Sequence, residues 1–146
     1  MVSSSRVFRA VVLVLRVALG AVFAYAAWIK LRQPWELFAM SINDYGVLPF
    51  WAVRAVARTL PWVEALIGLA LMAGRWLRVS TAAASLLLLV FFGLMVRAYA
   101  TGMEINCGCF GPGEAISVRT LLRDGGLLAV SLFLTWMSFR GRRRAA

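Results

Sequence analysis

The sequence predicts an all-α integral membrane protein: a four-helix bundle with a short interfacial helix between the first two spans. Two observations carry this. Of the 146 residues, 62% are hydrophobic, where a soluble domain of this length would be closer to half apolar. The apolar residues also fall into four runs long enough to cross a bilayer. The whole chain, 1–146, reads as one four-span membrane domain.

The first run covers about 8–29. Arg6 and Arg9 precede it, and Ala24-Tyr25-Ala26 has the small-x-small form of a cleavage site. Arg16 in the middle of the run is foreign to a signal peptide, so the segment is expected to stay as the first span. Arg9 and Arg16 are seven apart on one helix face, from which long side chains reach toward headgroups. Residues 31–49 then form a long connection with Pro34, Trp35 and Tyr45. A short helix from Trp35 to Ser41 is expected there, lying along the membrane surface.

The second run covers 50–73 and contains Arg54, Arg58 and Pro61. Pro61 marks a kink or the start of a shorter span. The third, 79–99, is the most apolar, with SLLLLVFFGLMV at its centre. The fourth covers 118–139. Its apolar part, Gly125 to Phe139, is only about 22 Å long, so the turn bearing Arg119, Arg123 and Asp124 belongs to the helix near the interface.

Net charge is +10, from 16 Lys+Arg against 6 Asp+Glu. In a soluble protein this would suggest nucleic acid. Here the basic residues flank apolar runs, so the positive-inside rule accounts for them and no nucleic-acid partner is expected. An even number of spans puts both termini on one side. That side holds Arg6, Arg9, Arg75, Arg78 and the RGRRRAA tail, with no acid. Both termini are therefore expected in the cytoplasm of a bacterial inner membrane, with the 3–4 connection outside. There is no histidine, which removes the commonest general base and metal ligand.

That connection carries INCGCFGPG, with both cysteines of the chain. Residues two apart can meet the Cα separation a disulfide allows, and Gly108 permits the unusual backbone a tight ring needs. A bond closing so small a loop removes little chain entropy and stabilises little. Easily reduced, it suits electron exchange. Cys107 and Cys109 are thus candidate redox residues. Two other readings stay open: capture of a soft metal such as Cu(I) by two thiolates, and an inert local pair in a non-catalytic assembly or maturation factor. Two cysteines without histidine leave a zinc site half empty. Arg97, Arg119 and Arg123 lie near the loop in sequence, and Ser117 is a candidate cap that would turn the positive end of the fourth helix toward it. Cations and a helix start both favour a thiolate; the alternative is that these arginines mark the interface. Pro112 and Gly113 turn the loop sharply, and Phe110 is expected to pack back on the bundle.

Glu64, in LPWVEALIGLAL, is costly at membrane depth unless paired. Lys30 and Arg58 are its candidate partners. A structural ion pair and a proton- or quinone-related role are both open. Asp124 is expected to pair locally with an arginine. Trp28, Trp35, Trp51, Trp62 and Trp76 fit an interfacial belt.

INCGCFG after a third span resembles the CGCFG signature of the MauE-like branch of the DoxX/MauE membrane proteins. The resemblance extends over Leu15 to Gly20, Ile29-Lys30-Leu31 with Pro34, Tyr45-Gly46-Val47-Leu48-Pro49, Leu60-Pro61-Trp62-Val63-Glu64 and Gly68-Leu69-Ala70-Leu71, about residues 15–135. One departure is Ala27, where the family pattern has glycine. The resemblance implies a four-helix membrane bundle and a role in extracytoplasmic thiol–disulfide chemistry, with Cys107, Gly108, Cys109, Phe110 and Gly111 at the motif positions. It also implies a soluble thioredoxin-like or disulfide-rich partner and a place in methylamine utilisation. No covalently bound cofactor is expected. Membrane quinone follows only by analogy with other four-helix disulfide-generating proteins.

Overall fold

A computed structural model describes residues 2–102 and 116–145, with side chains described over 5–102 and 116–140. Segment 103–115 lies outside the described residues. It carries Cys107, Gly108, Cys109, Phe110 and Gly111, and with them the expected local disulfide and the packing of Phe110.

The described chain is helical throughout: α1 (Val2–Arg32), α2 (Trp35–Asp44), α3 (Phe50–Ala73), α4 (Leu77–Ala100) and α5 (Val118–Ala145). Among the described residues, four stretches are long and apolar enough to cross a membrane: Ser5–Arg32, Phe50–Ala73, Leu77–Ala100 and Val118–Arg140. The expected all-helical bundle with four spans and a short helix between the first two is what the structure shows. The protein is a multi-pass membrane protein, and the lipid bilayer is its solvent.

The α3 bounds are the 50–73 expected, while the other helices run longer than the sequence reading. α1 begins at Val2 and has 31 residues, about 46 Å at 1.5 Å per residue. Arg6 and Arg9 do not stop it, because arginine is a good helix former. α2 continues to Asp44, where the chain turns at Tyr45 and Gly46, the latter at φ 67°. Pro61 lies inside α3 and neither ends nor begins it. Neighbouring helices make an internal proline tolerable at membrane depth.

The bundle is assembled from two closely packed pairs, α1 with α3 and α4 with α5. The first is a small-residue crossing. A Cβ on Gly20 would lie 2.8 Å from the Gly68 carbonyl oxygen, and a Cβ on Gly68 would lie 2.7 Å from the Gly20 oxygen. Only glycine permits backbones so close. The second pair is held by hydroxyls. Ser85 Oγ and Thr135 Oγ1 are 2.9 Å apart, and Thr81 Oγ1 and Ser138 Oγ are 3.2 Å apart. Thr135 donates its own proton to the Ser131 carbonyl, so Ser85 is the donor across the interface.

The helix ends are shaped by local chemistry. Gly74, at φ 75°, closes α3 with its N–H on the Ala70 carbonyl. The Arg16 guanidinium lies against this turn, within 3.3 Å of where a Gly74 Cβ would be, and its Nε has no hydrogen-bond partner among the described residues. A cation there suits the negative end of the α3 dipole. At α5, Ser117 N–H donates to Thr120 Oγ1 at 2.9 Å, and Thr120 N–H returns a longer bond of 3.4 Å to Ser117 Oγ. Ser117 thus caps the helix, with threonine in the reciprocal position of a capping box.

Candidate functional site

The core is divided. Leu19, Phe23, Ile67, Leu71, Ala84 and Leu134 form one apolar cluster. Phe38, Ile42, Val53, Ala57 and Leu60 form another beneath α2. Charged side chains sit in the bundle interior beside this apolar packing. Lys30, Glu64 and Asp124 are 5%, 6% and 3% exposed.

Lys30 Nζ donates to both carboxylate oxygens of Glu64, at 2.8 and 2.9 Å. The ammonium also lies 4.8 Å from the ring centre of Phe38 and 5.9 Å from that of Phe91. Aromatic faces attract a desolvated cation, so Lys30 is held by charge on one side and π density on others. The pair links the end of α1 to the middle of α3. Of the two partners the sequence leaves open for Glu64, the structure supplies Lys30. Arg58 instead lies with its guanidinium 4.4 Å from the Trp35 ring centre, tying α3 to α2.

Lys30 and Glu64 line a cavity of about 40 Å³ shared by α1, α3, α4 and α5. The α4 side is apolar, with Leu87, Leu88, Phe91 and Phe92; α5 adds Leu127 and Asp124. Arg123 Nε donates to Asp124 Oδ1 at 3.2 Å, the local pairing expected. That Asp124 faces the same cavity as Lys30 and Glu64 was not foreseen. Its signal was an acid between Arg123 and a glycine pair, but only the packing of α5 shows where it points.

The three arginines expected near the cysteines bracket the 103–115 segment. Arg97 is exposed in the last turn of α4, Arg119 is exposed in the first turn of α5, and Arg123 is half-buried on Asp124. Among the described residues, no group of three or more Cys, Asp or Glu is placed to hold a metal ion. Arginine and aromatic rings also meet at helix ends: Arg32 on Trp28 at 4.5 Å, Arg140 on Trp136 at 4.7 Å and Arg78 on Phe139 at 5.7 Å. Such pairs suit the membrane–water boundary.

A family profile described as methylamine utilisation protein MauE matches residues 8–137, nearly the whole chain. The chain belongs to the MauE family. It is 36% identical over 121 residues to the methylamine utilization protein MauE of Paracoccus denitrificans, covering 81% of this chain and 64% of that one. It is 33% identical over 129 residues to the protein of the same name from Methylorubrum extorquens, covering 84% and 67%. With that of Methylophilus methylotrophus it shares 35% over 118 residues, covering 77% and 61%. The chain thus spans about two thirds of the length of these relatives. No solved structure matches it. The MauE resemblance read from CGCFG and its flanking pieces is therefore correct at the level of family.

Proposed function

We propose that this MauE-family protein is a membrane thiol–disulfide oxidoreductase or electron relay. Cys107 and Cys109 cycle between dithiol and disulfide, exchanging with a soluble extracytoplasmic thioredoxin-like or disulfide-rich protein. One cysteine forms a mixed disulfide with the partner and the other resolves it. When the partner is oxidised, two electrons and two protons pass to the pair, and reoxidation delivers them to an acceptor, membrane quinone in this reading. The names of the relatives support a pathway of methylamine utilisation for this protein. The protein sits in a bacterial inner membrane with its termini in the cytoplasm.

The observation that carries the reading is the placement of the chain's two cysteines. They stand one residue apart in the segment joining two spanning helices. Exposed Arg97 and Arg119 and the capped start of α5 border that segment, a setting that favours a thiolate.

Thiol trapping of the full chain in membranes, across a series of redox buffers, tests this. The expected result is a reversible two-electron transition of the pair, lost when either cysteine is replaced by serine. A pair that stays in one state throughout, or a Cys107→Ser/Cys109→Ser chain that supports partner maturation fully, overturns it.

A further inference from the structure

One end of the bundle, where α3 turns into α4, carries cations and, among the described residues, no acidic side chain. Glu36 and Asp44 lie on α2, Glu64 is at mid-length in α3, and Asp124 is in the second turn of α5. Glu104 and Glu114 belong to the connection from the end of α4 to the start of α5. The α3–α4 end holds Arg16, Arg75, Arg78 and Arg140. Among the described residues, no carboxylate pairs with any of these four. Arg78 and Arg140 lie instead on aromatic rings, 5.7 Å from the centre of Phe139 and 4.7 Å from that of Trp136. Arg16 stands behind the turn, against Gly74, and Arg75 is exposed on it. Clustered guanidinium groups without a counter-charge attract an anion.

A groove of about 510 Å³ opens at the same end, between the start of α4 and the last turns of α5. That size is in the range of small-molecule sites. Trp76, 80% exposed, and Arg78 stand along it, and its wall is apolar at Leu77, Val79 and Met137. One span ends at Ala73 and the next begins at Leu77, so the groove straddles the membrane–water boundary. Indole and arginine side chains both suit that level. A soluble anion there would satisfy the arginines and leave Val79 and Met137 uncovered. A neutral lipid would cover the apolar wall and leave the cations uncompensated. A molecule with an anionic head and an acyl chain does both.

We propose that this groove binds one anionic phospholipid, with its phosphate held by Arg75 and Arg78 and its acyl chain against Val79 and Met137. Arg16 and Arg140 add to the positive field at the headgroup. Binding is non-covalent. The site lies at the opposite end of α4 and α5 from the cysteine segment and does not depend on the thiol reading.

Native mass spectrometry of the full chain, released from neutral detergent micelles, tests this. Phosphatidylglycerol and phosphatidylcholine with the same acyl chains are titrated in separately. The expected result is saturable retention of a single phosphatidylglycerol, in preference to phosphatidylcholine. A basic residue beside an anionic lipid surface is worth about fivefold in affinity. Arg75→Gln/Arg78→Gln should therefore weaken retention about 25-fold. Arg6→Gln/Arg9→Gln removes the same charge from the first turns of α1, outside the groove, and should leave the affinity nearly unchanged. Arg75 is exposed, so Arg75→Gln alone, expected to lose about fivefold, keeps the test open if the double variant does not fold. Glycerol 3-phosphate, a head without a chain, should not displace the lipid. Equal losses in the two double variants would mean that the lipid responds to overall charge and not to this groove, and would overturn the proposal. Equal retention of the two lipids, or displacement by glycerol 3-phosphate, overturns it as well.

Discussion

Lys30 and Glu64 are 34 positions apart in sequence, yet one ammonium meets both oxygens of one carboxylate inside the bundle. Burying two charges in hydrocarbon is expensive even when they pair, and removing one partner leaves the other uncompensated. The pair therefore acts less as a source of net stability than as a penalty on every other register of α1 against α3. Lys30→Met alone, or Glu64→Leu alone, should cost about 3–5 kcal/mol. The double change should recover most of that loss. Denaturant unfolding of the purified chain in micelles reads all three. A double variant as unstable as the worse single one would show that the pair contributes net stability.

Gly20 and Gly68 set the crossing that brings those two groups into register. Each glycine leaves less than 3 Å for a Cβ against the other's carbonyl oxygen, so even a methyl group forces the helices apart. Gly20→Ala and Gly68→Ala should each destabilise by about 1–3 kcal/mol. Gly126 on α5 has nothing within 4 Å of its Cβ position, and Gly126→Ala is the matching control, expected neutral or slightly stabilising. Equal effects at all three positions would mean that helix propensity, and not the close approach, governs them.

Much of this arrangement could be read from the residues, and the part that could not has a physical cause. The four spans and the helix at Trp35 follow from apolar run length and from Pro34, because the bilayer fixes what a spanning segment must look like. The choice of Lys30 over Arg58 could have been made as well. Arg58 is six residues from Glu64 on the same helix, a spacing that does not place two side chains on one face. The cavity position of Asp124 could not be read. It depends on how α5 is rotated against α4 and α1, the arrangement in which Ser85 meets Thr135 and Thr81 meets Ser138. The Arg16–Gly74 contact was hidden for a similar reason. Sequence spacing shows which residues share a helix face, but not which turn of another helix that face meets.

The hydroxyl contacts between α4 and α5 are weaker than the buried pair and should behave independently of it. Hydrogen bonds between membrane helices are modest, on average about 0.6 kcal/mol and at most about 1.7 kcal/mol. A double-mutant cycle on Ser85→Ala and Thr135→Val should give a coupling energy in that range. Thr135 also donates to the Ser131 carbonyl within its own helix, so the Thr135 change alone should cost more than the Ser85 change alone. A coupling energy near zero would mean that the 2.9 Å contact is a consequence of packing and not a contributor to it.

The start of α5 is where helix chemistry and the cysteine segment adjoin, and its cap can be tested without touching a thiol. Ser117 and Thr120 exchange hydrogen bonds at the helix start, the stronger being Ser117 N–H to Thr120 Oγ1 at 2.9 Å. Thr120→Val removes that acceptor, and Ser117→Ala removes the other. Loss of a cap typically costs about 1 kcal/mol, and most of it should appear locally, because the apolar body of α5 remains packed on α4. Hydrogen exchange should therefore speed up about fivefold at the amides of the first turn of α5 and stay unchanged around Ser131. If the amides around Ser131 accelerate equally, the end of α5 does not open on its own.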